Sequence, residues 1–124
     1  YKLSCLFITH DLAVVEHMAT RVAVMYLGRI VEEADTETLF TNPQHPYTEA
    51  LLESVLTPDP NLNVPDTHLG AAYPNPVEPP SGCTFHPRCS KVMDHCSKLA
   101  PKPIAVDAGH VECHLYDKAS ESAA

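Results

Sequence analysis

The chain has little positive charge: eight lysines and arginines stand against sixteen acidic residues, a formal net charge of −8 over 124 residues. Nucleic acid and anionic bilayers both require a cationic footprint, so neither is an expected partner. Long apolar runs are missing too, and none approaches the length of a membrane span. No signal-peptide pattern occurs, which makes the cytosol the expected compartment. There is no G-x-x-x-x-G-K-S/T phosphate loop, and Lys2 is the only lysine before residue 91. The chain has no closely spaced C-x2-C pair, and it does not begin with methionine. It opens "YKLSCLFITH" and runs straight into apolar residues, where natural N-termini are usually polar and frayed. That beginning reads as a cut, with most of a parent domain expected upstream.

What is present suggests a small α/β unit. Hydrophobic residues make up 44% of the chain, enough for part of it to bury a core. "LSCLFI", residues 3–8, is rich in strand formers without polar alternation, which predicts a strand buried on both faces of a parallel sheet, with Cys5 as a small apolar residue inside it. From Leu12 the period becomes helical, with Leu12, Val15, Met18 and Ala19 on one face and Asp11 as N-cap. Arg21–Tyr26 and Arg29–Glu33 read as a β-hairpin closed by Leu27 and Gly28, where Gly28 can take positive φ. "DTETLFTNP" predicts a short helix capped by Asp35 or Thr36, and "HPYTEALLESV" a second with Pro46 in its first turn. Residues 57–80 hold seven of the twelve prolines and read as an extended linker.

Two constellations carry chemistry. His10 stands at the end of the predicted strand, just before a helix, at the edge where open α/β sheets bind ligands. Taken alone it is a structural histidine; the sharper reading is a group that contacts a γ-phosphate or the attacking water. The second constellation is Cys83-x5-Cys89-x6-Cys96-x16-Cys113, four cysteines within 31 residues. Disulfides need an oxidising compartment. Structural zinc usually uses close pairs such as C-x2-C. A 4Fe–4S cluster also takes four thiolates, spreads them wider and tolerates varied spacing, so it fits best, with zinc as the alternative and four unrelated thiols as the plain reading. His86, His95, His110 and His114 offer nitrogen that four thiolates make unnecessary. Arg88 and Lys91 are placed to offset the site's negative charge. Such a site would staple an extension with too little apolar content to fold alone.

"LFITHDLAVVEHMATRVAVMYLGRIVEEAD" resembles the C-terminal end of an ABC-transporter ATPase domain, and His10 matches that family's switch histidine, the H-loop. "LFTNPQHPYTEALLESV", "PPSGCTFHPRC" and "CHLY" are similar to the C-terminal region of importers of oligopeptides, dipeptides and nickel. The resemblance implies an ATP-binding subunit on the cytoplasmic face of a bacterial inner membrane. It would pair with a second ATPase subunit and two permease subunits and be served by an extracytoplasmic peptide-binding protein. ATP and Mg2+ would be bound by the parent. The signature "LSGGQ", the Walker B aspartate and the catalytic glutamate are absent from this sequence, as is the phosphate loop, so the isolated chain is expected to turn over no ATP. In some members of that family four corresponding cysteines hold a 4Fe–4S cluster, which the resemblance extends to Cys83, Cys89, Cys96 and Cys113.

The expected organisation is therefore an α/β remnant of a P-loop ATPase domain over residues 1–35, with strand, helix and hairpin. A helical segment with "HPYT" follows over 36–56, then a linker over 57–81, an irregular four-cysteine extension over 82–116 and a disordered tail over 117–124. Two rival readings are a free-standing metal- or iron–sulfur-binding interaction module without ATPase function, and an electron-transfer enzyme. The second lacks any further cofactor motif. The first leaves apolar surface uncovered around a lone strand.

Overall fold

The computed structural model describes residues 2–55 and 74–117. Most of the expected linker and nearly all of the expected tail lie outside the described residues.

Helix α1 spans Leu12–Met18, and the Asp11 carboxylate accepts from the N–H groups of Ala13 (3.0 Å) and Val14 (3.2 Å), as its N-cap position predicts. Strands β1 (Arg21–Tyr26) and β2 (Arg29–Asp35) form the expected antiparallel hairpin. Leu27 and Gly28 close it with φ of 46° and 78°, the double positive φ of a type I′ turn, which matches the right-handed twist of the strands. Helix α2 spans Thr36–Thr41 and α3 spans Pro46–Val55, close to the two helices read from the sequence. Asp35 precedes α2 but makes no side-chain cap bond; its carboxylate pairs with Arg21 at 3.1 Å. The hydroxyl of Thr36 instead donates to the carbonyl of Ala19 (2.7 Å), tying the start of α2 to the segment between α1 and β1.

The sequence reading needs correction in two places. Residues 3–8 are not a buried strand. They are irregular, with Leu3 81%, Leu6 91% and Ile8 96% exposed, and Cys5 is exposed as well. The physical reason is pairing: a parallel strand needs hydrogen-bonding neighbours on its flanks, and the one sheet among the described residues does not include this segment. Nor is the cysteine-rich extension wholly irregular. It contributes a second hairpin, β3 (Ile104–Val106) and β4 (Gly109–Val111), and β4 pairs antiparallel with β2. The result is a four-stranded sheet in the order β1-β2-β4-β3.

Register explains which side chains face inward. Val24, Glu32, Val111 and Ile104 stand opposite one another across the four strands. That row belongs to the buried face, where Val24, Val31, Ala34, Leu39 and Phe85 form the core with Tyr26. The next row, Ala23, Glu33, His110 and Ala105, faces the other way. On that side Arg21 donates to Glu33 (2.9 Å) and Asp35 (3.1 Å), half-exposed pairs worth little individually. A β-bulge between Val24 and Met25 breaks the alternation. It lets two successive residues of β2, Val31 and Glu32, both be buried.

Candidate functional site

The site grows from a carboxylate in an apolar row. Glu32 is 1% exposed, yet both its oxygens are satisfied. One accepts from the Gln44 N–H at 2.7 Å and the other from the His45 N–H at 2.8 Å, just where α3 begins. A charged acceptor at a helix start satisfies otherwise orphaned amides and complements the helix dipole. Glu32 therefore docks α3 onto β2. Sequence reasoning did not single it out. The signal was the pair of adjacent glutamates in "VEEA", of which a strand bent by a bulge turns one inward.

"HPYT" then becomes a packing unit. His45 is 1% exposed, and its Nδ1 accepts the Tyr47 N–H at 3.0 Å. That bond leaves Nε2 to carry the proton of the neutral ring, which faces the backbone carbonyl of Glu112. Burial lowers its pKa to about 4. Pro46 occupies the first helical position, where its missing N–H costs nothing. Tyr47 packs against Tyr26 with ring centroids 4.7 Å apart, and Thr48 is fully buried.

Into this unit the cysteine loop inserts Phe85. Its ring is 1% exposed and lies 5.2 Å from Tyr26, edge to face, 5.4 Å from Tyr47 and 5.6 Å from His45. Cys83 and Cys89, two residues before and four after it in the chain, pack against the same core. The loop closes where the Cys83 N–H donates to the Cys96 carbonyl at 2.7 Å. Gly82 makes that approach possible: its φ is +72°, and a Cβ there would lie 2.3 Å from the Cys96 oxygen. Three further ties hold the loop and its return strand. Lys91 donates to both oxygens of Glu49 on α3 (2.6 and 2.9 Å), Arg29 forms a two-point pair with Glu112 (2.9 and 3.1 Å), and the Tyr116 hydroxyl donates to the Gln44 carbonyl (2.9 Å).

The four cysteines predicted from sequence come together here. Cys96 and Cys113 are buried, Cys83 and Cys89 half-buried, and all four are free thiols. Each of the other three raises the pKa of Cys113, which burial first of all pushes up to about 11. Every sulfur also meets backbone N–H groups: Cys83 those of Phe85 and His86, Cys89 that of Lys91, Cys113 that of Leu115, and Cys96 that of Met93 at 3.4 Å. Such amides favour thiolates, while burial alone disfavours them. Among the described residues no three His, Cys, Asp or Glu side chains converge closely enough to hold a single metal ion. The histidines do other work: His86 Nδ1 bonds the Cys83 carbonyl (2.8 Å), and His114 Nε2 bonds the Leu99 carbonyl (2.8 Å). His10 is not part of this assembly. It is exposed, directly before the α1 cap. No helix among the described residues is long and apolar enough to cross a membrane.

Comparison with known proteins adds family context. The family described as "Oligopeptide/dipeptide transporter, C-terminal region" matches residues 31–96. A dipeptide transport ATP-binding protein of Haemophilus influenzae is 50% identical over 116 residues, covering 94% of this chain and 33% of the relative. A protein of Sinorhizobium fredii, named as a probable peptide ABC transporter ATP-binding protein, is 49% identical over 114 residues, covering 91% of this chain and 32% of the relative. The chain thus spans about a third of the length of the curated relatives it matches.

Proposed function

We propose, from the premise that this chain belongs to the oligopeptide/dipeptide transporter C-terminal region family, that it forms the C-terminal part of an ATP-binding subunit that powers peptide import. The observation that carries this is the "HPYT" unit: the residues the family match covers are those that Glu32, Tyr26 and Phe85 lock together. The names of the relatives favour short peptides over nickel as cargo. ATP and Mg2+ would be bound by the longer protein, at the cytoplasmic face of the membrane. Its partners would be a second ATPase subunit, two permease subunits and, outside, a peptide-binding protein.

His10 is the residue of this chain proposed to act on nucleotide. Its imidazole would orient the attacking water and stabilise charge at the γ-phosphate; it forms no covalent bond. Its exposure beside Asp11 leaves it accessible to such a group. The test is a chimaera in which this chain replaces the corresponding segment of the Haemophilus relative. It should sustain ATP-dependent dipeptide uptake, and His10→Ala should cut ATP turnover by about 10² to 10³, the usual loss for one transition-state donor, without changing thermal unfolding. Undiminished turnover in the variant would remove His10 from the mechanism.

Cys83, Cys89, Cys96 and Cys113 are proposed as ligands of a 4Fe–4S cluster, with zinc the alternative. What supports the cluster is donor spacing. A tetrahedral zinc with Zn–S bonds of about 2.3 Å would draw its sulfurs to about 3.8 Å from one another. Four thiolates in electrostatic range, but with no three donors at single-ion spacing, suit a larger group. When bound, the cluster would supply a covalent cross-link among four points of the extension. The chain's own part is to aim the sulfurs, stabilise them with five backbone amides, and anchor the loop through Phe85.

A further inference from the structure

Lys91 meets the four-cysteine site in two ways. It lies two residues after Cys89 and turns its backbone N–H to that sulfur. Its ammonium, on the same short loop, is held by both oxygens of Glu49 at 2.6 and 2.9 Å. Glu49 belongs to the first turn of α3, the helix that carries "HPYT". The other carboxylate near the sulfurs, Glu112, is already engaged in its two-point pair with Arg29. We infer that Lys91 balances charge at the four-cysteine site and that Glu49 on α3 sets how much of that positive charge the site receives. This rests on the cluster reading above.

The electrostatics has a definite sign. A cluster held by four thiolates is negatively charged, and one-electron reduction adds a further negative charge. A nearby ammonium favours the reduced form; a carboxylate that neutralises that ammonium opposes it. The Lys91–Glu49 pair is thus a dipole with its positive end toward Cys89, and removing either end changes the cluster's potential in opposite directions. Cys89 responds accordingly, since the charge on Lys91 lowers its pKa against the dominant effect of burial. Lys91 and Glu49 side chains are 46% and 36% exposed, so solvent and salt screen the effect and keep it modest.

A purely structural salt bridge behaves differently. If its only task were to fasten the loop to α3, losing either partner would loosen the loop alike, and any change in potential would share one sign.

The test uses the full chain, reconstituted anaerobically with iron and sulfide. Its one-electron couple is titrated with dithionite and followed by electron paramagnetic resonance. Lys91→Gln should lower the midpoint potential and Glu49→Gln should raise it. At a fixed potential each should change the ratio of reduced to oxidised cluster by roughly threefold to tenfold, or about 30 to 60 mV for a one-electron couple. Lys91→Arg should return the potential to near the parent value. Shifts of the same sign, or no shift in either variant, would overturn the inference while leaving the cluster in place. Failure of the parent chain to take up iron and sulfide would overturn the cluster reading and this inference with it. Should Lys91→Gln lose its iron, Glu49→Gln alone still reads the sign: a raised potential supports the inference, and an unchanged or lowered one refutes it.

Discussion

Phe85→Ala is expected to destabilise the chain by about 3–5 kcal/mol, the usual cost of truncating a fully buried aromatic ring, and to disorganise two regions at once. The ring is the shared plug between the cysteine loop and the "HPYT" unit. It is 1% exposed and touches Tyr26, Tyr47 and His45, each with centroids under 6 Å. Its loss leaves a cavity among side chains held by Glu32 and by the sheet, so little can move in to fill it. Urea unfolding measures the loss, and hydrogen exchange should show α3 amides and the Cys83–Cys96 loop opening together. Phe85→Leu should cost less because it fills most of the volume. Phe7→Ala is the contrast: Phe7 is 61% exposed, and its replacement should stay within about 0.5 kcal/mol. If Phe85→Ala opened the loop but left α3 as protected as before, the two would not be one packing unit.

Acid should weaken the same unit. His45 is neutral when folded, with its pKa lowered from 6.5 to about 4 chiefly by burial. An unfolded chain binds this proton more readily than the folded one. The stabilising contribution is therefore complete above about pH 6.5, declines as pH falls, and is exhausted near pH 4. At 1.36 kcal/mol per pH unit the full span is worth about 3 kcal/mol. Urea midpoints measured between pH 7.5 and 4 should trace that loss, and His45→Gln should flatten the curve over this window. A parent chain as stable at pH 4.5 as at pH 7 would mean that the imidazole charges without disturbing its two hydrogen bonds.

The sequence disclosed local structure well and long-range structure partly. Asp11 as a cap, the Leu27–Gly28 turn and the starts of α2 and α3 depend on side chains acting within a few residues, and these were read correctly. The segment 3–8 was read as a buried strand because its composition is that of one. Composition does not reveal whether neighbouring strands are present to pair with it. The β3–β4 hairpin went unseen because each strand has three residues, too few to show a period, and its place beside β2 depends on contacts some 80 positions apart in the chain. The four cysteines were legible from clustering alone. What joins them to the rest was not, because Glu32 looks like a surface glutamate until the bulge in the β1–β2 ladder turns it inward.

The central claim is that Cys83, Cys89, Cys96 and Cys113 form one iron–sulfur site locked onto the "HPYT" helix. Iron, acid-labile sulfide and zinc measured per chain after anaerobic purification test it most directly. The expected result is about four iron and four sulfide per chain, the composition of a 4Fe–4S cluster, with no zinc, and loss of all iron on replacing any one of the four cysteines by alanine. One zinc per chain without sulfide, or neither metal at all, would contradict it.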